Sequence, residues 1–290
     1  MSHRPCPLFK FAIFAISILL LACSNAPPVS NSNQHLADAK NSLKSSDFDG
    51  ALSNLDKAIK SAPDESSRQQ ALVLRTALVI AIADANKQMA EAYYIGAKQP
   101  SAQSHSGAFF KMRSDYYRAA NSSLMDAMQM VMDQRSKLSL NAMPMNIDFP
   151  GFTGTNPGMA RIKSGQLISD SDRLSAELQA ERNAFAVVLS EIGGAGQDPD
   201  KGQQLFSSGK VDLDSRVYII ELSDNFLQTG DMFDFRGLNQ PDRQRTVDQV
   251  VRGNLDVSKK LLAAKPDKLL EEQNKKLEAD CDNRLKKLTK

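Results

Sequence analysis

Apolar residues recur at helical spacing through most of the chain between residues 36 and 288. A repeat of three to four residues is typical of helices that bury one face. Glycine and proline gather in a few short segments between these stretches, where they end helices or form turns. The pattern predicts an all-α fold, with a short helical hairpin leading into a bundle of long antiparallel helices and one long apolar loop.

The hairpin is predicted in residues 35–63, where two short apolar stretches flank the turn Ser45-Ser46-Asp47 and Pro63 ends the second helix. The spacing resembles one tetratricopeptide (TPR) repeat, carried by Ala39, Phe48, Ala51, Leu55, Ala58 and Pro63. A single repeat cannot bury its own face, so the resemblance implies that the following helices cover it. An ordinary helical hairpin is the alternative.

Residues 71–83 form the most apolar stretch of the folded part, interrupted only by Arg75 and Thr76. A helix that is apolar on all sides is buried. Thirteen residues are too few to span a membrane, which takes about 20. We therefore expect a central core helix that continues to about Ala97.

A fourth helix is predicted over residues 109–138, after a polar loop at 99–107. Its apolar stripe contains Phe110, Tyr117, Ala120, Leu124, Ala127 and Val131. Met125, Met128 and Met132 widen this stripe. Because methionine adapts to irregular surroundings, the three side chains are interpreted either as core filling or as a surface for apolar ligands.

Residues 139–158 are predicted to be a long loop that is rich in apolar side chains. Apolar and polar residues alternate in residues 143–149, as in an extended strand with one buried side. The loop is either a strap across the helices or a functional segment, which would be a lid, the lining of a groove or a strand offered to a partner. The candidate binding groove consists of Met125, Met128, Met132, Met143, Met145, Ile147, Phe149 and Phe152.

A further helix is predicted over residues 159–192, and the glycine-rich segment 193–196 ends it. Its expected buried stripe is Ile168, Leu174, Leu178, Phe185, Val188 and Ile192. The glycines suggest a soft boundary between a domain at 35–192 and a C-terminal helical subdomain at 203–290. In the latter, helices are predicted from about Asp214 to Gly230, from Pro241 and from Pro266-Asp267.

The last helix has a narrow apolar seam that suits packing against one neighbour: Leu270, Leu277, Cys281, Leu285 and Leu288. Acid-first pairs four residues apart are expected to stabilise it by about 0.2–0.5 kcal/mol each, namely Glu271–Lys275, Glu272–Lys276, Asp280–Arg284 and Asp282–Lys286. Cys281 is interpreted as a small buried side chain. The alternative is a disulfide to a second copy, in a homodimer formed through this helix.

The first 22 residues have the pattern of a secretory signal peptide, with Arg4 and Lys10 before an apolar run at 11–21 and a small residue, Ala22, at its end. The run of eleven residues is too short to stay in the membrane as a helix. Residues 23–34 are rich in Pro, Ser and Asn, and we expect a flexible tether there.

Leu20-Leu21-Ala22-Cys23 resembles the lipobox of bacterial lipoproteins. The resemblance implies cleavage between Ala22 and Cys23, a diacylglyceryl group on the Cys23 sulfur and acylation of its amino group. Ser24 stands where the family's inner-membrane retention signal has Asp, which implies the outer membrane, facing the periplasm. The alternative is cleavage after Ala26, which would release a soluble periplasmic protein.

Charge and candidate chemistry narrow the possible functions. Two of the 36 basic residues and none of the 34 acidic ones lie in residues 1–22, so the mature chain is formally neutral, unlike a typical nucleic-acid binder. The mature chain has two histidines, His35 and His105, and no His or Cys spacing of a metal site. We expect no catalytic residue, cofactor or metal, and no internal disulfide.

These features lead to three hypotheses. The first is a non-enzymatic, periplasm-facing outer-membrane lipoprotein that binds an envelope protein or peptide as a TPR-like scaffold. The second is an accessory carrier for a small apolar molecule or lipid in a transport system. The third is a structural spacer of the cell envelope.

Overall fold

The computed structural model describes residues 32–233 and 239–288, and this part of the chain is mostly helical, as expected. The helices are α1 (Ser32–Lys44), α2 (Phe48–Ser61), α3 (Glu65–Ala97), α4 (Ser106–Arg135), α5 (Pro157–Lys163), α6 (Asp170–Ile192), α7 (Pro199–Leu205), α8 (Ser215–Gly230), α9 (Pro241–Ala264) and α10 (Lys268–Leu288), and the strands are β1 (Met143–Met145) and β2 (Val211–Leu213). The predicted signal peptide and the lipidation site at Cys23 lie outside the described residues. The last three residues of the predicted tether belong to α1, because that helix already begins at Ser32.

The central helix is α3, as the apolar run predicted. It contacts α2, α4, α5, α6 and α8, and side chains such as Leu74, Leu78 and Ile80 are fully buried on different sides of it. The Asp64 carboxylate caps its first turn by accepting a hydrogen bond from the Ser67 backbone N–H at 2.8 Å. None of the described helices is both long and apolar enough to cross a membrane.

The predicted hairpin is formed by α1 and α2. Ala39, Ala51 and Leu55 are fully buried between the two helices and α3, and Asp47 caps α2 through the Gly50 N–H. The 33-residue helix α3 covers the open face of α2. The relation of this hairpin to the TPR family is carried by sequence spacing alone.

The apolar loop runs as a strap along the helices. Its strand β1 pairs antiparallel with β2, with Met143 opposite Leu213 and Met145 opposite Val211. Both methionines are buried, Pro144 between them is exposed, and the Gln70 side chain donates a hydrogen bond to the Pro144 carbonyl at 3.1 Å. The expected extended segment with one buried side is therefore confirmed, whereas its partner strand β2 was not predicted.

The single helix predicted over residues 159–192 is wrong, because α5 and α6 are separate helices. Gly165 between them has φ +82° and lies so close to the turn that follows α3 that a Cβ atom would be 2.4 Å from the Ser101 hydroxyl oxygen. After this break the buried face agrees only in part with the expected stripe: Phe185, Val188 and Ile192 are buried as expected, and Ile168 and Leu178 are partly buried. Leu174 is 55% exposed, and the small residues Ala176, Ala180 and Ala184 are buried instead.

The expected stripe of α4 is also shifted at its beginning. Phe110 is exposed, while its neighbour Phe109 is fully buried against Tyr93 of α3, with ring centroids 5.3 Å apart. The helix begins at Ser106, three residues before the predicted start. Tyr117, Ala120 and the later members of the stripe are buried as expected.

Helices α8, α9 and α10 begin close to the predicted positions, after the helix-starting residues Asp214, Pro241 and Asp267. Helix α8 contacts α3, α4 and α6, and α9 contacts α4. Residues Asn31–Lys290 accordingly form one compact unit, so the core continues across the predicted boundary at the glycines.

Helix α10 packs along α9 through the expected seam, with Leu277 and Cys281 buried. Cys281 has no exposed surface, which argues against the alternative of a disulfide to a second copy. The charges of α10 reach other elements: Asp282 pairs with Arg252 and Glu278 with Lys259, both on α9. Arg284 pairs with Asp231 rather than with Asp280 of its own helix.

Carboxylates gather where α6 packs on α8. Glu191 is 3% exposed, and its Oε2 accepts a hydrogen bond from the Asn225 side chain at 2.7 Å. Burial raises its pKa to about 7, and the neighbouring carboxylates of Glu221 and Asp224 act in the same direction. Burial also raises the pKa values of Glu221 and Asp224 themselves.

Candidate binding site

The predicted binding groove is closed in the structure. Met128, Met143, Met145 and Ile147 are core side chains, and Met125 and Met132 are partly buried against the same core. These methionines therefore fill the interior, which was the other interpretation. Of the remaining two residues, Phe149 is half-buried and Phe152 is exposed.

The end of the strap instead forms one wall of an open cavity of about 370 Å³, which we call the Arg182 cavity. The other walls come from the turn between α1 and α2 and from the middle of α6. The lining residues are Leu43, Lys44, Ser46, Asp148, Phe149, Pro150, Gly151, Arg182 and Phe185. The strap thus lines a binding-sized space, although not the one expected.

Local structure fixes the walls of this cavity. Ser46 has φ +61°, a left-handed conformation that the chain adopts in the tight turn before Asp47 caps α2. Phe149 is held against Phe206, with ring centroids 5.8 Å apart, and Phe185 is fully buried. The cavity therefore has firm apolar walls on its strap and α6 sides.

Arg182 is the main polar group of the cavity. Its Nε donates a hydrogen bond to the Ser46 hydroxyl at 3.0 Å, and its Nη2 donates to the same oxygen. Among the described ion pairs none involves Arg182, which is half-buried beside a neutral partner. A guanidinium has five N–H donors in a planar fork that matches a carboxylate or phosphate. The arrangement favours an anionic ligand at this position.

Two lysines add positive charge near the strap. Lys44 Nζ lies 3.4 Å from Asp148 Oδ2, but the side chains are 71% and 73% exposed, so this pair contributes only about 0–1 kcal/mol. Partial burial lowers the pKa of Lys40, and the negative charge of Asp148 partly opposes that effect. The residues that line the cavity include two cations, Arg182 and Lys44, and one carboxylate, Asp148.

The other predicted chemistry lies elsewhere. His105 precedes α4, and its Nε2 lies 3.0 Å from the Gly165 carbonyl oxygen, so it ties this turn to the break between α5 and α6. His35 lies on α1 and does not line the cavity. Within residues 32–233 and 239–288, no three His, Cys, Asp or Glu side chains are close enough to hold a metal ion. The Arg182 cavity can hold one anionic and one apolar group.

Sequence reasoning missed Arg182, Ser46 and Lys44 as site residues. The position of Arg182 in the sequence could have identified it. It lies four residues after Leu178 and three before Phe185, which places a charged residue on the apolar face of its helix. A charged residue at such a position needs a partner or a ligand. Comparison of the chain with protein-family models, curated proteins and solved structures finds no match.

Proposed function

We propose that the chain is a non-enzymatic lipoprotein, anchored in the outer membrane through Cys23 and facing the periplasm, which binds a peptide segment of another envelope protein in the Arg182 cavity. The observation that carries the binding role is a half-buried guanidinium without a described carboxylate partner, next to aromatic walls. The anchor is supported by the lipobox resemblance of Leu20-Leu21-Ala22-Cys23.

The chemistry of the cavity defines the peptide. A carboxylate, from a side chain or a C-terminus, would pair with Arg182 through two parallel hydrogen bonds. An adjacent apolar side chain would contact Phe149 and Pro150. The volume of about 370 Å³ suits one or two side chains, at the lower end of ligand-sized pockets. An acidic-apolar peptide motif satisfies all three conditions.

The binding role is tested by fluorescence anisotropy with a peptide library in which Asp or Glu adjoins Leu or Phe. Each peptide is compared with its Asn or Gln counterpart. Arg182→Gln is expected to weaken the best acidic peptide at least about tenfold, or about 1.4 kcal/mol. Lys111→Gln, an exposed cation on α4, serves as the matched control and is expected to change nothing. If no acidic peptide binds more tightly than its neutral counterpart, the proposed binding role is wrong.

The anchor is tested separately by labelling cells with palmitate and fractionating their membranes. The wild type is expected to be labelled and to sediment with the outer membrane, and Cys23→Ser is expected to lose the label. Cys6→Ser, which alters the predicted signal peptide only, is the control and should keep it. A Cys23→Ser protein that is still labelled would contradict the anchor without affecting the cavity.

The second hypothesis, a carrier for an apolar molecule, has less support. Its groove depended on methionines that are now placed in the core, such as Met128 and Met143. The Arg182 cavity is positively charged on one side, which suits an anionic segment better than a purely apolar molecule.

A further inference from the structure

A second open cavity, of about 430 Å³, is lined by residues of α3, α5 and α6, which pack against one another. The last residues of the apolar loop form its remaining wall. The lining residues are Gln88, Gly154, Thr155, Asn156, Met159, Ala160, Lys163, Ala180 and Asn183. It shares no lining residue with the Arg182 cavity. We call it the Asn183 cavity, and it plays no part in the proposed peptide binding.

Hydrogen bonds between the loop and α6 hold the loop wall in place. The Gln179 side chain donates to the Thr153 hydroxyl at 2.6 Å and to the Thr155 carbonyl. The Asn156 side chain donates to the Ala176 carbonyl at 2.7 Å. Because these amides join the loop to the helix at several points, the shape of the cavity is set before a ligand enters, which lowers the cost of binding.

Two half-buried side-chain amides of this cavity have fixed orientations. Asn183 Oδ1 accepts a hydrogen bond from the Thr153 backbone N–H at 3.3 Å. Gln88 Nε2 donates one to Asp84 Oδ2 at 2.6 Å. A backbone N–H can only donate and a carboxylate can only accept, so these partners determine which end of each amide is the oxygen. Among the described hydrogen bonds none engages Asn183 Nδ2 or Gln88 Oε1. The cavity therefore offers one donor from α6 and one acceptor from α3.

Lys163 supplies the charge of the cavity. It lies at the end of α5, its side chain is exposed, and none of the described ion pairs involves it. Arg161 of the same helix, by contrast, is paired with Asp172. The described lining contains no carboxylate, and Asp84 is connected to it through Gln88. An anionic group beside Lys163 would therefore meet a cation without a competing carboxylate in the lining.

A secondary amide matches the two unused groups. Its C=O and N–H point in opposite directions from one planar unit. It can therefore accept a hydrogen bond from Asn183 on one wall while it donates to Gln88 on another, and neither of its polar groups is left unpaired on entering the cavity. Met159, Ala160 and Ala180 provide apolar surface for the carbon atoms beside it.

We propose that the Asn183 cavity binds a secondary amide that stands beside a carboxylate, with the amide between Asn183 and Gln88 and the carboxylate at Lys163. The volume of about 430 Å³ is within the range of small-molecule sites. Two sources share this chemistry: the C-terminal end of a peptide, and a sugar that carries both an N-acetyl group and a carboxylate.

The proposal is tested by NMR titration of the ¹⁵N-labelled mature chain carrying Cys23→Ser. The probes are N-acetyl-L-alanine for the first source and N-acetylmuramic acid for the second. N-acetyl-L-alaninamide and N-acetylglucosamine are the matched controls without the carboxylate, and propionate is the control without the amide. At least one probe is expected to bind with a Kd below about 10 mM and at least about threefold more tightly than its matched control and propionate. The tighter of the two probes identifies the source.

Two variants locate the binding. Asn183→Asp keeps the oxygen that accepts from Thr153 but replaces the donor with an acceptor, and it is expected to weaken the probe at least about tenfold. Lys163→Gln removes the exposed cation and is expected to weaken it at least about threefold. Lys260→Gln, an exposed cation on α9, is the matched control and should bind as the wild type does.

Arg182→Gln separates this site from the peptide site, since it should leave the binding of these probes unchanged. Loss of probe binding in Arg182→Gln would show that the probes occupy the Arg182 cavity instead, and would overturn the proposal. Absence of binding by both probes, equal binding of the controls that lack the carboxylate, or full binding by Asn183→Asp would overturn it as well.

Discussion

Glu191 makes the stability of this chain depend on pH in a direction that can be derived from the structure. Its pKa is about 7 in the folded chain and 4.5 for an ordinary glutamate. The folded state therefore holds its proton more strongly than the unfolded state between these two values. The stabilising contribution of protonated Glu191 is therefore complete below pH 4.5 and is lost as the pH rises through about 7, because the carboxylate must then ionise while buried.

Glu191→Gln keeps the shape of the protonated side chain, and its amide oxygen can still accept the hydrogen bond from Asn225. One pKa unit corresponds to about 1.4 kcal/mol, so the shift is worth about 3 kcal/mol. We expect the variant to exceed the wild type by roughly this amount at pH 8. At pH 4.5 the two free energies of unfolding should agree within about 0.5 kcal/mol.

Urea unfolding at pH 4.5, 6 and 8 measures these differences. Glu272→Gln, an exposed carboxylate on α10, is the control and should show no such pH dependence. A Glu191→Gln variant that is less stable than the wild type at pH 8, or whose difference is the same at all three pH values, would refute the reasoning.

Three further predictions concern packing. Gly230→Ala should lower the free energy of unfolding by about 1–3 kcal/mol in thermal unfolding, because the new Cβ would be 2.8 Å from Val247 Cγ1. Gly107→Ala is the control, since this glycine lies in open space at the start of α4, and it should be neutral or stabilising by up to about 1 kcal/mol. Cys281 should react with a thiol reagent only when the chain unfolds, because its side chain is fully buried and burial raises its pKa to about 12. Fast labelling of the native chain would contradict this prediction. Leu55→Ala should cost about 2–5 kcal/mol in urea unfolding, and a loss below 1 kcal/mol would show that the hairpin is not packed as described.

The elements that sequence predicted best are those with local signals. Pro241 and Asp267 mark the beginnings of α9 and α10, and the apolar run at 71–83 identified the central helix. Each signal acts within a few residues, through a missing N–H, a capping carboxylate or continuous apolarity. Such features need no knowledge of the rest of the fold.

The failures have tertiary causes. The break at Gly165 depends on contact with Ser101, a residue far away in sequence, and β2 is three residues long and exists as a strand only because β1 lies beside it. Arg182 became a site residue through Ser46, which is 136 positions earlier. The periodicity of apolar residues describes one segment at a time. It could therefore single out the apolar loop, but not the residues of α1 and α6 that the loop meets at the Arg182 cavity.

The distance in sequence between the walls of the Arg182 cavity has a consequence for the order of events during folding. Its three walls come from residues 43–46, 148–151 and 182–185, so closing it requires two long chain loops to be ordered. Such contacts form late, after local helices and hairpins, because loop-closure entropy must first be overcome. We therefore expect a refolding chain to be helical well before the Arg182 cavity is complete. Ligand recognition would then be a property of the completed molecule alone, which protects a folding intermediate from premature engagement.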